Sequence, residues 1–219
     1  MVASTPGSTA AYTLVVACRG SDGALWWASG PVTAGTLPSN FTNWAFLGGG
    51  LASGISGGPA VAAVQSPGGT TISFSDELTF FVNGTNGHVY TTTAAAGGPG
   101  WTETPWECNG HLAAAALSVD GSLTSAFACQ GLGGIVYAAT TTGTGWDTEP
   151  LGGIAIDGPG IALSSVSWTV VVEGTDHQMY QNTSTSTTGT FSFGGWSPLG
   201  GVLTNGAAAA ALLTEPNNP

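Results

Sequence analysis

Aromatic rings and short acidic or amide side chains recur at fixed places in this 219-residue chain. Trp26, Tyr90, Tyr137 and Tyr180 each lie six residues after a glycine, and Trp44, Trp101, Trp146 and Trp196 each open a later segment. Asp22, Asn86 and Asp176 sit between the glycine and the ring. Together such groups can recognise a neutral, polyhydroxylated molecule. A ring face packs on C–H groups, an indole N–H or phenol O–H bonds a hydroxyl, and the acid or amide oxygen accepts another. The same residues also serve structure. An Asx side chain that bonds nearby backbone N–H groups makes a tight turn, and a large ring fills the wedge between twisted sheets. Trp27 and Trp106 stand apart because they fall outside the repeat phase, where other copies have Thr91, Ala138, Gln181 or a leucine. An extra tryptophan that the repeat does not demand is the better candidate for a contact.

Other chemistries find less support. His88, His111 and His177 lack the local spacing of a metal site, and no zinc pattern involves the three cysteines. Cys18 and Cys129 share a slot with Val82 and Val172, which reads as a small buried apolar position. Cys108 lies in a loop-like segment without a partner at ligand spacing. No Gly-x-Ser-x-Gly elbow is present. The carboxylates Asp76-Glu77 and Glu103…Glu107 could serve glycoside hydrolysis in principle, but they fall in segments that read as loop or outer strand. No catalytic residue and no cofactor is expected. Asn40, Asn83 and Asn182 begin sequons.

Charge excludes whole classes of partner. The chain has 12 acidic residues, a single arginine (Arg19) and no lysine, for a formal net charge of −11. Phosphate neutralisation needs clustered cations, so nucleic acid is excluded as a partner, and docking on anionic membranes is disfavoured. No apolar run is long enough for a spanning helix, and the start lacks the pattern of a signal peptide. The expectation is a soluble protein with an extracellular, virion or surface role. The 36 glycines lack a three-residue period, and 42% of residues are hydrophobic, so collagen and disorder both fit poorly.

What must position the rings is a repeat. One block recurs four times: Gly20-Ser-Asp-Gly-Ala-Leu-Trp26, Gly84-Thr-Asn-Gly-His-Val-Tyr90, Gly131-Leu-Gly-Gly-Ile-Val-Tyr137 and Gly174-Thr-Asp-His-Gln-Met-Tyr180. Each follows an apolar, β-rich run (Tyr12–Cys18, Leu78–Val82, Leu123–Cys129, Trp168–Val172), so strand, tight turn and strand make a hairpin. Each is followed by a Trp segment, such as Trp44-Ala-Phe-Leu-Gly-Gly or Trp196-Ser-Pro-Leu-Gly-Gly, and then by a run of small residues. Four strands per ~45–55 residues is the size of a β-propeller blade. The small-residue runs would be the innermost strands, which converge on the axis. The fold class expected is therefore all-β, a single domain of four four-stranded blades with units near 12–58, 59–110, 111–158 and 159–206. The strand at 207–212 would pair with the first blade and close the ring. The rival is an open arc that closes by self-association.

Strand, Gly-Thr-Asp-Gly, strand and aromatic, followed by Trp-x-x-Leu-Gly-Gly-x-x-x-x-Gly-Pro-Ala, resembles the PLL-type fucose-binding β-propeller lectins of bacteria. It is more distantly similar to tachylectin-type propellers. The resemblance implies glycan binding between neighbouring blades, of a fucose-type sugar, without metal or catalysis. The chain departs from the pattern at Gly133, where Asp or Asn is expected, at His177, in place of a turn glycine, and at Trp106-Glu107-Cys108, in place of Leu-Gly-Gly. The leading expectation is a multivalent carbohydrate-binding protein. The alternative is a structural or assembly protein, such as a viral decoration or coat component, that docks a protein partner or forms a homo-oligomer. A hydrolase hidden in the inserts 28–43 and 65–77 is a weaker third reading.

Overall fold

The computed structural model describes residues 12–32, 41, 43–48, 56–63, 78–93, 100–119, 122–142, 145–163, 167–185 and 192–203. They form four antiparallel sheets, and each runs in chain order from one edge to the other. Sheet one contains β1 (Tyr12–Arg19), β2 (Leu25–Val32) and β3 (Ala45–Gly48). Sheet two contains β4 (Ala60–Ala63), β5 (Leu78–Asn83), β6 (His88–Thr93) and β7 (Thr102–Glu107). Sheet three contains β8 (Leu112–Val119), β9 (Ser122–Gln130), β10 (Ile135–Thr142) and β11 (Gly145–Ile154). Sheet four contains β12 (Gly160–Leu163), β13 (Ser167–Glu173), β14 (Met179–Thr185) and β15 (Phe193–Gly200). The one helical element among the described residues is a 3₁₀ turn, Leu132–Gly134. No helix among them is long and apolar enough to cross a membrane.

The repeated glycine block is the same turn each time. The first glycine's N–H donates to the carbonyl four residues on: Gly20 to Ala24 (2.7 Å), Gly84 to His88 (2.8 Å), Gly131 to Ile135 (2.8 Å) and Gly174 to Gln178 (2.9 Å). The small-residue strands lie side by side, with β8 packed against both β4 and β12. Alanines at Ala113–Ala116 leave room for that approach, where larger side chains would hold the strands apart. β1 also packs towards β4. The strand expected at 207–212, and with it any closure of the ring, lies outside the described residues.

Three apolar cores fill the spaces between consecutive sheets. Leu25 and Leu47 of sheet one meet Leu78, Phe80 and Val82 of sheet two. Phe81 and Val89, from the other face of sheet two, meet Phe127 and Ala139 of sheet three. Ala128 and Val136, from the other face of sheet three, meet Ile161, Trp168 and Val170 of sheet four. The strand period of two sends successive side chains to opposite cores. β5 is therefore buried at every position. Each fully buried Phe or Val stabilises by about 1.5–3 kcal/mol relative to exposure, so the joints between sheets hold the molecule together. Phe81, Phe127 and Trp146 form a ring trio at 5.3–5.8 Å.

The cysteines depart from the sequence reading. Cys129 is buried, but it forms a disulfide with Cys108, with Cα atoms 5.9 Å apart. Cys18 is exposed and free. The reason is topological. Residues 106–108 of sheet two replace the Leu-Gly-Gly segment that elsewhere faces the next sheet, so Cys108 arrives against β9 of sheet three. Cys18 faces outward from sheet one, where no sheet among those described covers it.

Candidate functional site

The glycine-to-aromatic spacing has a steric cause. In three of the blocks the ring folds back over the first glycine of the turn. A Cβ added at Gly174 would meet Tyr180 at 2.7 Å, and one at Gly131 would meet Tyr137 at 2.6 Å. At Gly20 it would meet Asp22 at 2.5 Å and the Trp26 indole at 3.1 Å. Only glycine tolerates this closeness. The turn acids act as Asx caps. Asp22 accepts from Ala24 N–H (2.9 Å), Asn86 from His88 N–H (3.3 Å) and Asp176 from Gln178 N–H (3.1 Å).

The fold then brings acid and ring together. Tyr180 donates its hydroxyl to Asp176 Oδ2 at 2.8 Å, and Asn86 Nδ2 donates to the Tyr90 hydroxyl at 2.9 Å. The Tyr180 hydroxyl, with the Gln178 N–H beside it, holds the Asp176 carboxyl below its ordinary 3.8. The same bond to Asp176 raises the Tyr180 phenol above its ordinary 10.0. Tyr90 differs in donating its own hydroxyl hydrogen bond to Glu103 Oε2 of its own sheet at 2.7 Å. His88 stands 3.7 Å from both Glu103 and Glu107.

A cleft of about 230 Å³ opens between sheets three and four. Asp176 and Tyr180 form one wall, Trp196 another, and Val136 and Ile154 an apolar side. Trp196 is fixed there. Its indole N–H donates to the Leu151 carbonyl (3.0 Å) and the Gly152 carbonyl (2.9 Å) of the neighbouring sheet. Gly152 and Gly153 take left-handed conformations (φ 65 and 72), and a Cβ on Gly153 would strike the indole at 2.7 Å. The Leu-Gly-Gly segment is thus the seat for the next sheet's tryptophan. Trp101 packs against the core that holds Leu47, without the indole hydrogen bonds that fix Trp196.

A second cleft, of about 310 Å³, opens between sheets two and three. Trp106 and Glu107 line it on one side, Leu132 and Tyr137 on the other. Its turn carries no acid. Gly133 occupies that place with φ 71, inside the 3₁₀ turn.

The sequence candidates divide accordingly. Asp176, Tyr180 and Trp196 converge on the first cleft, and Tyr137 and Trp106 line the second. Trp27 packs on Phe80 at 5.8 Å inside the core between sheets one and two. Trp146 lies in its ring trio and Trp101 in its core. Trp26 and Phe46 stack edge-to-face at 5.3 Å on the outer face of sheet one, and Trp44 is 42% exposed. Asn86 and Tyr90 pair at the turn of sheet two. Sequence reasoning did not pick out Ile154 and Gly153; the recurrence of Leu-Gly-Gly after Trp44, Trp146 and Trp196 was the available signal.

The slot before each turn glycine also has a role. Asn83 Nδ2 donates to the Gly110 carbonyl and Gln130 Nε2 to the Ala155 carbonyl, so each ties down the linker that leaves its own sheet. In sheet four the slot is Glu173, 2% exposed and bonded at 2.7 Å to His177, which holds a positive φ of 62 where the pattern has glycine. Arg19, in the same slot, is exposed. The sequon residues Asn83 and Asn182 are buried, at 2% and 0% exposure; Asn40 lies outside the described residues. No cluster that could hold a metal occurs among the described residues.

No family model and no curated protein matches this chain. Solved structures do. The fucose-specific lectin of Aleuria aurantia superposes with a TM-score of 0.57 at 13% identity, over 96% of this chain and 66% of that one. AofleA from Arthrobotrys oligospora, as a triple-arginine mutant, gives 0.51 at 14% identity, over 85% of this chain and 53% of that one. The chain therefore spans between half and two-thirds of the length of these structures. The Aleuria lectin is a six-bladed β-propeller, so the shared fold is that of propeller blades. These structures do not show the relation to the bacterial type or to tachylectin-type propellers.

Proposed function

We propose that this protein is a non-catalytic carbohydrate-binding protein and that its working site is the cleft between the third and fourth blades. The observation that carries the reading is the convergence of Asp176, Tyr180 and Trp196 beside Val136 and Ile154 in a cleft of about 230 Å³. That is below the ~300 Å³ at which pockets for drug-sized ligands begin, and it suits one sugar ring. A charged acceptor held by its own turn stays ionised and keeps a free lone pair for a sugar hydroxyl. The indole and isoleucine offer a surface for the C–H face. The solved neighbours include a lectin in complex with Fucα1-6GlcNAc, which supports a glycan and makes fucose the first sugar to try. The single arginine of the chain fits a neutral ligand bound by hydrogen bonds rather than by ion pairs.

Calorimetric titration with L-fucose and a panel of neutral monosaccharides tests the reading. Saturable binding is expected, weakened by Asp176→Asn and by Tyr180→Phe. A panel without saturable binding, or binding indifferent to Asp176→Asn, would refute it.

A further inference from the structure

The cleft between blades two and three lacks what the sugar site uses. At the other joint the turn supplies an acid, and Trp196 plugs the Leu151–Gly153 seat. Here Gly133 stands in place of the acid, so no turn carboxylate backs Tyr137. Trp106 also presents a different part of itself. Its indole N–H is buried and has no partner among the described residues, while the residue as a whole is only half-buried. What Trp106 exposes is therefore ring carbon and not its hydrogen-bond donor. Phe127, Cys129 and Ala139, each 1% exposed, make an apolar floor, with Cys129 tied up in its disulfide and Thr148 adding one hydroxyl.

The rim carries the charge. The Tyr137 ring and the Glu107 backbone meet at Gly131, where an added Cβ would lie 2.6 Å from the ring and 3.6 Å from the Glu107 carbonyl. The Glu107 side chain is 59% exposed there. His88 stands behind it, 3.7 Å from Glu107 and 3.7 Å from Glu103. Two carboxylates against one histidine leave this edge negative at neutral pH, whichever form the histidine takes.

We infer that this cleft is a second ligand site, for a small organic cation with a trimethylammonium group. Such a cation spreads its charge over methyl groups and is attracted to ring faces. Trp106 and Tyr137 supply rings from opposite sides of a cleft of about 310 Å³. It carries no N–H, so an apolar floor leaves nothing unsatisfied, whereas a primary ammonium brings three donors that need acceptors. Its counter-charge is Glu107. The chain has no lysine, and its one arginine lies in sheet one; the net charge of −11 raises the local concentration of cations. A neutral apolar molecule gains nothing from the carboxylate, and a sugar finds no donor edge on Trp106. The site shares no residue with the cleft of Asp176, Tyr180 and Trp196, so it stands apart from the sugar-binding reading.

An NMR titration of the full chain with choline tests the site without any sugar. Saturable shifts are expected at the Trp106 and Tyr137 rings and none at Tyr180 or Trp196. The uncharged carbon analogue of choline, in which a tert-butyl group replaces the trimethylammonium, should bind about tenfold more weakly. Ethanolamine, with its primary ammonium, should also bind more weakly than choline. Phosphocholine should do the same, because its phosphate meets Glu107; this arm separates a free cation from a lipid headgroup. Glu107→Gln, a conservative change at an exposed position, should weaken choline about threefold, and Tyr137→Leu should weaken it further. Asp176→Asn should leave choline binding unchanged, which keeps this test separate from that of the sugar cleft. No saturable shift at Trp106 and Tyr137 would overturn the inference, as would equal binding of the carbon analogue or of ethanolamine, tighter binding of phosphocholine, or indifference to Glu107→Gln.

Discussion

The two clefts use the same three elements and arrive at different chemistry. Between blades three and four, the turn supplies Asp176, the strand after it supplies Tyr180, and a Leu-Gly-Gly seat holds Trp196 by two indole hydrogen bonds. Between blades two and three, Gly133 removes the acid and Trp106-Glu107-Cys108 removes the seat, and a disulfide from Cys108 to Cys129 joins the blades instead. One joint is held by a reversible plug and keeps a polar dyad free; the other is held covalently and leaves Tyr137 without an acid at its turn. The same scaffold thus makes one joint covalent and lets the other leave a polar dyad facing a cleft. A disulfide at the second joint also suits an oxidising compartment.

The largest expected effect is on the covalent joint. Reduction, or Cys108→Ser with Cys129→Ser, should cost about 2–4 kcal/mol of stability, measured by denaturant midpoints. Sugar binding by the protein that remains folded should be unchanged, because the first cleft does not use this bond. Next comes the plug. Gly153→Ala should cost about 1–3 kcal/mol, from the left-handed backbone and the collision with Trp196. Gly201→Ala, with the same backbone and nothing among the described residues within 4 Å, should cost only about 1 kcal/mol. Equal losses from the two substitutions would contradict the plug-and-seat account.

Ligand effects follow. Asp176→Asn should weaken sugar binding about tenfold, the value of a hydrogen bond to a charged group, whereas Glu107→Gln at the other cleft should leave it unchanged. The pH dependence has a definite sign. Because the folded Asp176 titrates below its ordinary 3.8, the ionised form that binds persists as pH falls through the normal carboxylate range, and affinity is lost only below it. A binding midpoint at or above pH 4 would contradict this. The smallest effect is expected from Gly133→Asp. Gly133 has a left-handed backbone (φ 71), which aspartate tolerates at a cost of about 1 kcal/mol. The altered turn should not deliver the new carboxylate to Tyr137, and no new sugar site should appear in titrations.

Much of the architecture was legible because it is periodic. The apolar runs before each turn glycine became β1, β5, β9 and β13 within a residue or two, and the three small-residue runs among the described residues became edge strands that meet one another. Repetition reveals whatever every copy must satisfy, such as turn, strand and ring over glycine. It is blind to what single copies do alone. Cys108 pairs with Cys129 because a departure from Leu-Gly-Gly lands beside one particular slot of the next blade, and no spacing encodes that contact. Trp27, read as a ligand contact because it broke the phase, packs against Phe80; a position that faces the next blade accepts any side chain that fills its core. The cleft itself was half visible. Its polar wall lies in one repeat, while Gly153 and Ile154 come from the preceding repeat, and only the stacking of blades joins them.

The most direct measurement is an NMR titration of the protein with L-fucose, or with whichever neutral monosaccharide binds best, that follows the ring resonances of Tyr180, Trp196, Tyr137 and Trp106. Saturable shifts at Tyr180 and Trp196, abolished by Asp176→Asn, with Tyr137 and Trp106 unmoved, are the predicted result. Shifts confined to Tyr137 and Trp106, or no saturable shift at any of the four rings, would contradict the assignment of the site.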